Sequence, residues 1–343
     1  PSPEATRRAL RDVVGRCIYG GIWAEMLEDR KFYDPVGSED SPWDAIGGVE
    51  NITMVEEDAF VGEHTPVVSL DADAPRGISQ SELGLVKGKS YDAYIWLKKE
   101  GDVDSVATRF IWGKGKSHSE NVTIEGWELS DEYMLYKTSF TASVSTDEAR
   151  VEGLAKGTGR LFIGTASLMP ADNIEGMRAD TLALLEELDS PVYRWPGGNF
   201  VSGYDWRDGI GDRDRRPPRK NPAWTGIEHN DFGMDEFMRF CELLGTEPYI
   251  AVNSGLGGVE NAIAELEYAN GSPDSPMGSL RAENGNEDPY AVKWWGIGNE
   301  MYGGWQKGHM PLAKYVEKHN RSAKAMWALD PKAGLLNFRN LWR

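Results

Sequence analysis

Residues Val292–Gly304, "VKWWGIGNEMYGG", decide how the second half of the chain folds. An apolar run, Val292 to Ile297, stops at Gly298-Asn299-Glu300 and gives way to a glycine-rich loop. A short apolar run bounded by turn residues reads as a buried strand. Two earlier stretches repeat the arrangement: "PVYRWPGGNF" (191–200) and "EPYIAVNSGLGG" (247–258) also pass from an apolar strand into a polar, glycine-rich loop.

Helical patterns lie around these strands. Leu182, Leu185 and Leu188 precede the first, and Met234, Phe237, Met238, Cys241 and Leu244 mark one helix face between the first and second. Val259, Ala262, Ile263 and Leu266 follow the second strand, and Leu312, Tyr315, Val316, Ala323 and Met326 follow the third. "AGLLNF" (333–338) could open one more strand. Alternating strands and helices with nearly continuous apolar strands imply a parallel sheet covered by helices. Doubly wound sheets and barrels both satisfy this pattern. Polar motifs gathered at the C-terminal ends of several strands favour the barrel. No G-x-G-x-x-G or Walker pattern supports a nucleotide site.

Residues 49–166 read differently. Apolar side chains alternate at Val106, Thr108, Phe110 and Trp112, and again at Tyr136, Thr138, Phe140 and Val144. The turn signals "KGKS", "WGKGKS" and "AKGTGR" punctuate these runs, as in an antiparallel sandwich. The expected organisation is therefore an α/β chain: 1–48 opening a (β/α)8 barrel, an inserted β-sandwich over 49–166, and 167–343 as barrel strands two to four with a possible fifth. A helix is expected around Ile22–Arg30.

Bulk properties exclude several classes. A formal net charge of −18 argues against a nucleic-acid partner, which needs neutralising Lys and Arg. No apolar stretch approaches the roughly 20 residues of a membrane span. Two cysteines do not make a disulfide framework, five scattered histidines show no metal-ligand spacing, and no cofactor motif is present. The opening "PSPEATRRALRDVVGR" has no apolar leader core, so a cytoplasmic location is expected. The chain begins at Pro1, so its natural start can lie upstream.

The three strand ends converge on Arg194, Asn199, Trp224, Asn253, Asn299, Glu300, Trp305 and Gln306. Amides and arginine supply directional hydrogen bonds to hydroxyls, and of this set Glu300 alone exchanges a proton at moderate pH. This points to a polyol or sugar ligand with one acid/base group. Six of the thirteen tryptophans (Trp195, Trp206, Trp224, Trp294, Trp295, Trp305) fall near the glycine-rich turns, where an indole either packs the core or stacks on a sugar face. Three other features read as structural. Glu25 and Glu28 share a helix-like spacing, "GDRDRRPPRK" (211–220) reads as a solvated loop, and Glu228 as a loop-holding acid.

The stretches "YRWPGGNFVSGYDWRDGIG", "AWTGIEHNDFGMDEFMRFCELLGTEPYIAVN" and "VKWWGIGNEMYGGWQKGH" resemble motifs of α-L-arabinofuranosidases of glycoside hydrolase family 51. "GRCIYGGIWAEML", "GISQSELGLVKGKSYDAYIWLK" and "SLMPADNIEGMRADTLALLEEL" resemble a branch with a sandwich, similar to a carbohydrate-binding module, inserted early in the barrel. The resemblance covers most of residues 15–330. It implies a retaining enzyme that removes terminal arabinofuranosyl groups from arabinan- or arabinoxylan-type saccharides, commonly as a homo-oligomer. Glu300 inherits the general acid/base role and Asn299 the sugar 2-hydroxyl. Asn199 and Arg194 line the sugar subsite, Trp224 closes over it, and Trp305, Gln306 and Asn253 flank it. A second carboxylate roughly 5 Å away would attack the anomeric carbon, and Glu300 would need a raised pKa. In the family that nucleophile follows the seventh strand, so it is expected beyond Arg343, leaving this chain inactive by itself. Asp12 stands where the family has a substrate-binding Glu, but within a helix-like charged run. The N-E pair also leaves open another glycosidase of the same barrel clan, and the sandwich a purely sugar-binding role.

Overall fold

The computed structural model describes residues 17–72, 74–112 and 118–336. Asp12, most of the "WGKGKS" turn and the end of "AGLLNF" lie outside the described residues. The chain forms two compact units. One runs to Leu182 and takes in Asp214–Arg219, and the other comprises Ala183–Arg213 and the chain from Lys220.

The first unit is a sandwich of two antiparallel sheets. Its strands are β1 (Asp44–Ile46), β2 (Ile52–Val55), β3 (Thr65–Ser69), β4 (Arg76–Leu85), β5 (Ser90–Glu100), β6 (Val103–Trp112), β7 (His118–Glu125), β8 (Met134–Thr141), β9 (Thr146–Gly157) and β10 (Arg160–Pro170). One sheet has the order β1-β4-β9-β6-β7 and the other β2-β3-β10-β5-β8. The period-two pattern explains the layering: on β6, Val106, Phe110 and Trp112 are buried while Arg109 is exposed. Phe140 of β8 stacks on Tyr91, Phe110 and Trp112 at centroid separations of 5.4, 4.2 and 5.3 Å, joining the two sheets across the core. The sandwich is wider than the 49–166 segment read from sequence. β1 pairs with β4 before residue 49, and β10 continues to Pro170.

Two local expectations are corrected. Residues 22–30 form no helix but irregular, extended chain beside β10, with Met26 N–H donating to Leu168 O at 3.0 Å and Ala166 N–H to Arg30 O at 3.1 Å. Side-chain carboxylates take the backbone donors that a helix would use. Glu25 accepts from the N–H groups of Met26, Leu27 and Leu168 and from the Ser167 hydroxyl. Burial raises the Glu25 pKa, against the Arg30 charge and these hydrogen bonds. Asp29 accepts from Tyr33 and Asp34 N–H, and burial pushes its carboxyl up to about 7.

The 211–220 segment is not a solvated loop either. Asp214 accepts from Arg30 Nη1 at 2.9 Å, Tyr94 Oη at 2.8 Å and Trp96 Nε1 at 2.8 Å. Arg216 is buried, with its carbonyl accepting from Lys31 Nζ, and the Arg215 guanidinium lies 3.7 Å from the Phe60 ring centroid. Five basic residues in a row of ten suggest solvent on average; here the intervening acid is the anchor.

The second unit carries a parallel sheet whose strands, Val192–Trp195, Glu247–Val252, Trp294–Ile297 and Gly334–Leu336, are neighbours in chain order. A doubly wound sheet reverses its order at a switch point, whereas this unbroken progression is that of a (β/α)8-type barrel arc. Helices span Ala179–Leu188, Met234–Leu244, Val259–Asn270, Pro276–Glu283 and Leu312–Leu329. The Pro276–Glu283 helix had no expected counterpart. Trp195 and Phe237 stack at 5.8 Å where the first strand meets the Met234–Leu244 helix. The amphipathic stripes are buried unevenly: Leu182, Ala323 and Met326 are inside, but Leu188, Leu312 and Val316 remain exposed.

Candidate active site

The third strand ends at Ile297, and its continuation turns sharply. Gly298 has φ +83°, and a methyl group there would lie 2.8 Å from Ser254 Oγ, so both backbone and space call for glycine. The turn leaves Asn299 buried and Glu300 exposed, with Glu300 itself at φ +42°.

Parallel register sets Arg194 beside Tyr249 on one sheet face. The Arg194 guanidinium lies 5.7 Å from the Tyr249 ring centroid and donates from Nη2 to Asn299 Oδ1. Burial lowers the Arg194 pKa, while Tyr249 and Glu300 oppose that shift. Asn299 Nδ2 donates to Gln306 Oε1 at 3.2 Å, and Gln306 Nε2 donates to Ser202 Oγ at 2.6 Å. Trp305 Nε1 donates to Glu300 Oε2 at 3.4 Å, and its ring meets Tyr302 edge-on at 6.0 Å.

The remaining expected site residues take other tasks. Asn199 uses both ends of its amide on the loop after the third strand, donating to Trp305 O at 3.1 Å and accepting from Lys307 N–H at 2.7 Å. Asn253 is likewise committed, donating to Tyr204 O and accepting from Gly257 N–H, both at 3.0 Å. Trp224 is 43% exposed, and a methyl at Gly198 would come 3.3 Å from its ring, so its indole borders the "PGGN" turn. Glu228 accepts from Asn230 N–H and holds its own loop.

Of the six tryptophans near glycine-rich turns, Trp195, Trp206 and Trp295 are core, whereas Trp224, Trp294 and Trp305 are 43%, 39% and 67% exposed. Sequence reading missed Ser202, Tyr249 and Lys307. Tyr249 was legible, because it lies two residues from Ala251 and four from Asn253 on one strand face. Ser202, in a short 3-10 turn, carried no such signal.

Chemically, the cluster offers a buried amide and a half-buried guanidinium for orienting hydroxyls, an exposed carboxyl for proton transfer and exposed indoles for an apolar ring face. Residues 184–341 match the family model of the alpha-L-arabinofuranosidase 1 domain. That region is similar to the α-L-arabinofuranosidases. The chain is 48% identical over 167 residues to a probable alpha-L-arabinofuranosidase C of Aspergillus fumigatus, covering 49% of this chain and 33% of that protein. It is 46% identical over 157 residues to an intracellular exo-alpha-(1->5)-L-arabinofuranosidase of Bifidobacterium longum, covering 46% of this chain and 28% of that protein. The chain thus spans about a third of the length of the curated relatives it matches. For the fold, an arabinose-bound GH51 α-L-arabinofuranosidase structure superposes with a TM-score of 0.79 at 19% identity, covering 95% of this chain and 57% of that one.

Proposed function

We propose that residues 184–341 act in a retaining glycoside hydrolase that releases terminal non-reducing α-L-arabinofuranosyl groups from arabinan- or arabinoxylan-type saccharides. The observation that carries this reading is the Gly298 turn, which buries Asn299 against Arg194 while leaving the adjacent Glu300 exposed. Glu300 donates a proton to the departing glycosidic oxygen and then withdraws one from the water that releases the sugar. Asn299 and Arg194 orient the sugar hydroxyls, Trp305 keeps the Glu300 carboxyl in place, and Trp224 borders the ring. Asn199, Gln306 and Asn253 shape the loops that carry these groups. The attacking carboxylate is assigned to no residue of this chain. The working enzyme is taken as a cytoplasmic homo-oligomer.

The test is hydrolysis of aryl α-L-arabinofuranosides by the full-length enzyme. Glu300→Gln should lower kcat by about 10²- to 10⁴-fold. Substrates whose leaving group needs no protonation should suffer least, and azide should restore turnover with retained configuration. Preference of the wild-type enzyme for a xylopyranoside or β-glucan, or full activity of Glu300→Gln, would sink the assignment.

A further inference from the structure

We propose that Gln306 and Ser202 are positioning residues that hold the Asn299 amide in a single orientation, which fixes the side from which Asn299 donates to a ligand. The inference rests on the site reading above, in that it deepens the role of Asn299 there.

Polarity along the chain of side chains is fixed from both ends. A guanidinium carries donors alone, so the Asn299 atom facing Arg194 is its oxygen. The Asn299 nitrogen then faces Gln306, and because an amide nitrogen only donates, Gln306 must present its oxygen. That leaves the Gln306 nitrogen against Ser202 Oγ at 2.6 Å and the Gly198 carbonyl at 3.5 Å, the latter an acceptor by nature. A donor-only group at one end and an acceptor-only group at the other leave one consistent assignment of both amides.

The chain is sealed from solvent, with Asn299, Gln306 and Ser202 exposed by 4%, 3% and 0%. Its far end is fixed by close packing: a methyl at Gly255 would come 2.4 Å from Ser202 Cβ, so the backbone there admits no side chain. Its near end is held by Asn199, which bonds the backbone on both sides of Gln306, at Trp305 O and Lys307 N. Asn299 Oδ1 faces Arg194 and one Nδ2 hydrogen is engaged by Gln306, so the second Nδ2 hydrogen is the donor left for a sugar oxygen. An amide free to flip would exchange its donor and acceptor sides; this one keeps them fixed.

Gln306→Met keeps the length and removes the acceptor. Gln306→Glu keeps an oxygen toward Asn299, and the Ser202 hydroxyl can turn to donate to it. In protein labelled with ¹⁵N at asparagine, the Asn299 side-chain pair, assigned by its loss in Asn299→Asp, should exchange slowly with solvent. Exchange should quicken at least tenfold in Gln306→Met and stay slow in Gln306→Glu. Affinity for methyl α-L-arabinofuranoside, followed by calorimetry, should fall about tenfold in Gln306→Met and recover in Gln306→Glu. The loss should vanish when Gln306→Met is made in an Asn299→Ala background, a non-additivity that a merely structural role would not produce. Unchanged amide exchange in a folded Gln306→Met protein would overturn the proposal, as would a full additive loss in the Asn299→Ala background. Failure of the wild-type chain to bind the arabinofuranoside would instead refute the functional reading, and amide exchange alone would then decide the positioning chain.

Discussion

Glu300 sits at φ +42°, two residues after Gly298 at φ +83°, so two left-handed residues on either side of Asn299 turn the chain out of the third strand. Only the first is glycine, and a non-glycine residue in that region stores on the order of 1–3 kcal/mol of strain. Gly298→Ala adds strain of the same kind and a clash with Ser254 Oγ at 2.8 Å. It should destabilise the protein by about 1–3 kcal/mol in urea unfolding and displace the carboxyl. A kcat/KM equal to wild type would show that the turn does not set the Glu300 position. Asp214 is the corresponding single-residue anchor of the sandwich unit. Burial alone would raise its pKa, but Arg30, Trp96 and Tyr94 bring it below the ordinary 3.8. Its stabilisation is therefore complete above that value and is lost as pH falls through the depressed one. Asp214→Ala leaves Arg30 buried without its carboxylate and should cost about 3–5 kcal/mol, read from denaturant midpoints at neutral pH.

At the scale of elements, the 22–34 segment shows side chains overriding helical spacing. Asp29 closes the turn onto Tyr33 and Asp34 N–H while its own carbonyl accepts from Trp43 Nε1. Its carboxyl holds a proton to about pH 7 in the fold against 3.8 as the ordinary value, mainly through burial, with the Asp34 charge adding to the rise. Between those values the folded chain binds more protons than the unfolded one, so this group's contribution is present at low pH and fades as pH rises through about 7. Asp29→Asn, which cannot ionise and keeps an acceptor for one of the two N–H groups, should flatten the fall in stability between about pH 4 and 7. Equal slopes in the two proteins, by urea titration across that range, would contradict the assignment.

At the scale of the whole chain, apolar groups remain on the surface of the barrel unit. Leu184 and Leu188 are each 66% exposed, Val192 is 41% exposed on an outer strand of the parallel sheet, and Leu312 is 74% exposed. An outer strand flanked by exposed leucines favours association. The purified chain should therefore self-associate as its concentration rises, and Leu188→Glu should shift sedimentation towards the monomer. Identical sedimentation of the two proteins would show that this face is not used.

Much of this protein was legible in its sequence because the signals were periodic or local. Period two marked the sandwich strands, period 3.6 the Met234–Leu244 helix, and apolar runs ending in glycine-rich loops the parallel strands and their polar ends. The Asn299–Glu300 pair declared itself through the same punctuation. Tertiary structure alone decided what depended on distant partners. A buried carboxylate needs a cation or several donors, and no local pattern announces that Asp214 finds them on Arg30, Tyr94 and Trp96. The same holds for the amides. Sequence shows that Asn199, Asn253, Asn299 and Gln306 can each donate and accept, but which end is already engaged is fixed only when the folded loops bring their partners within about 3 Å.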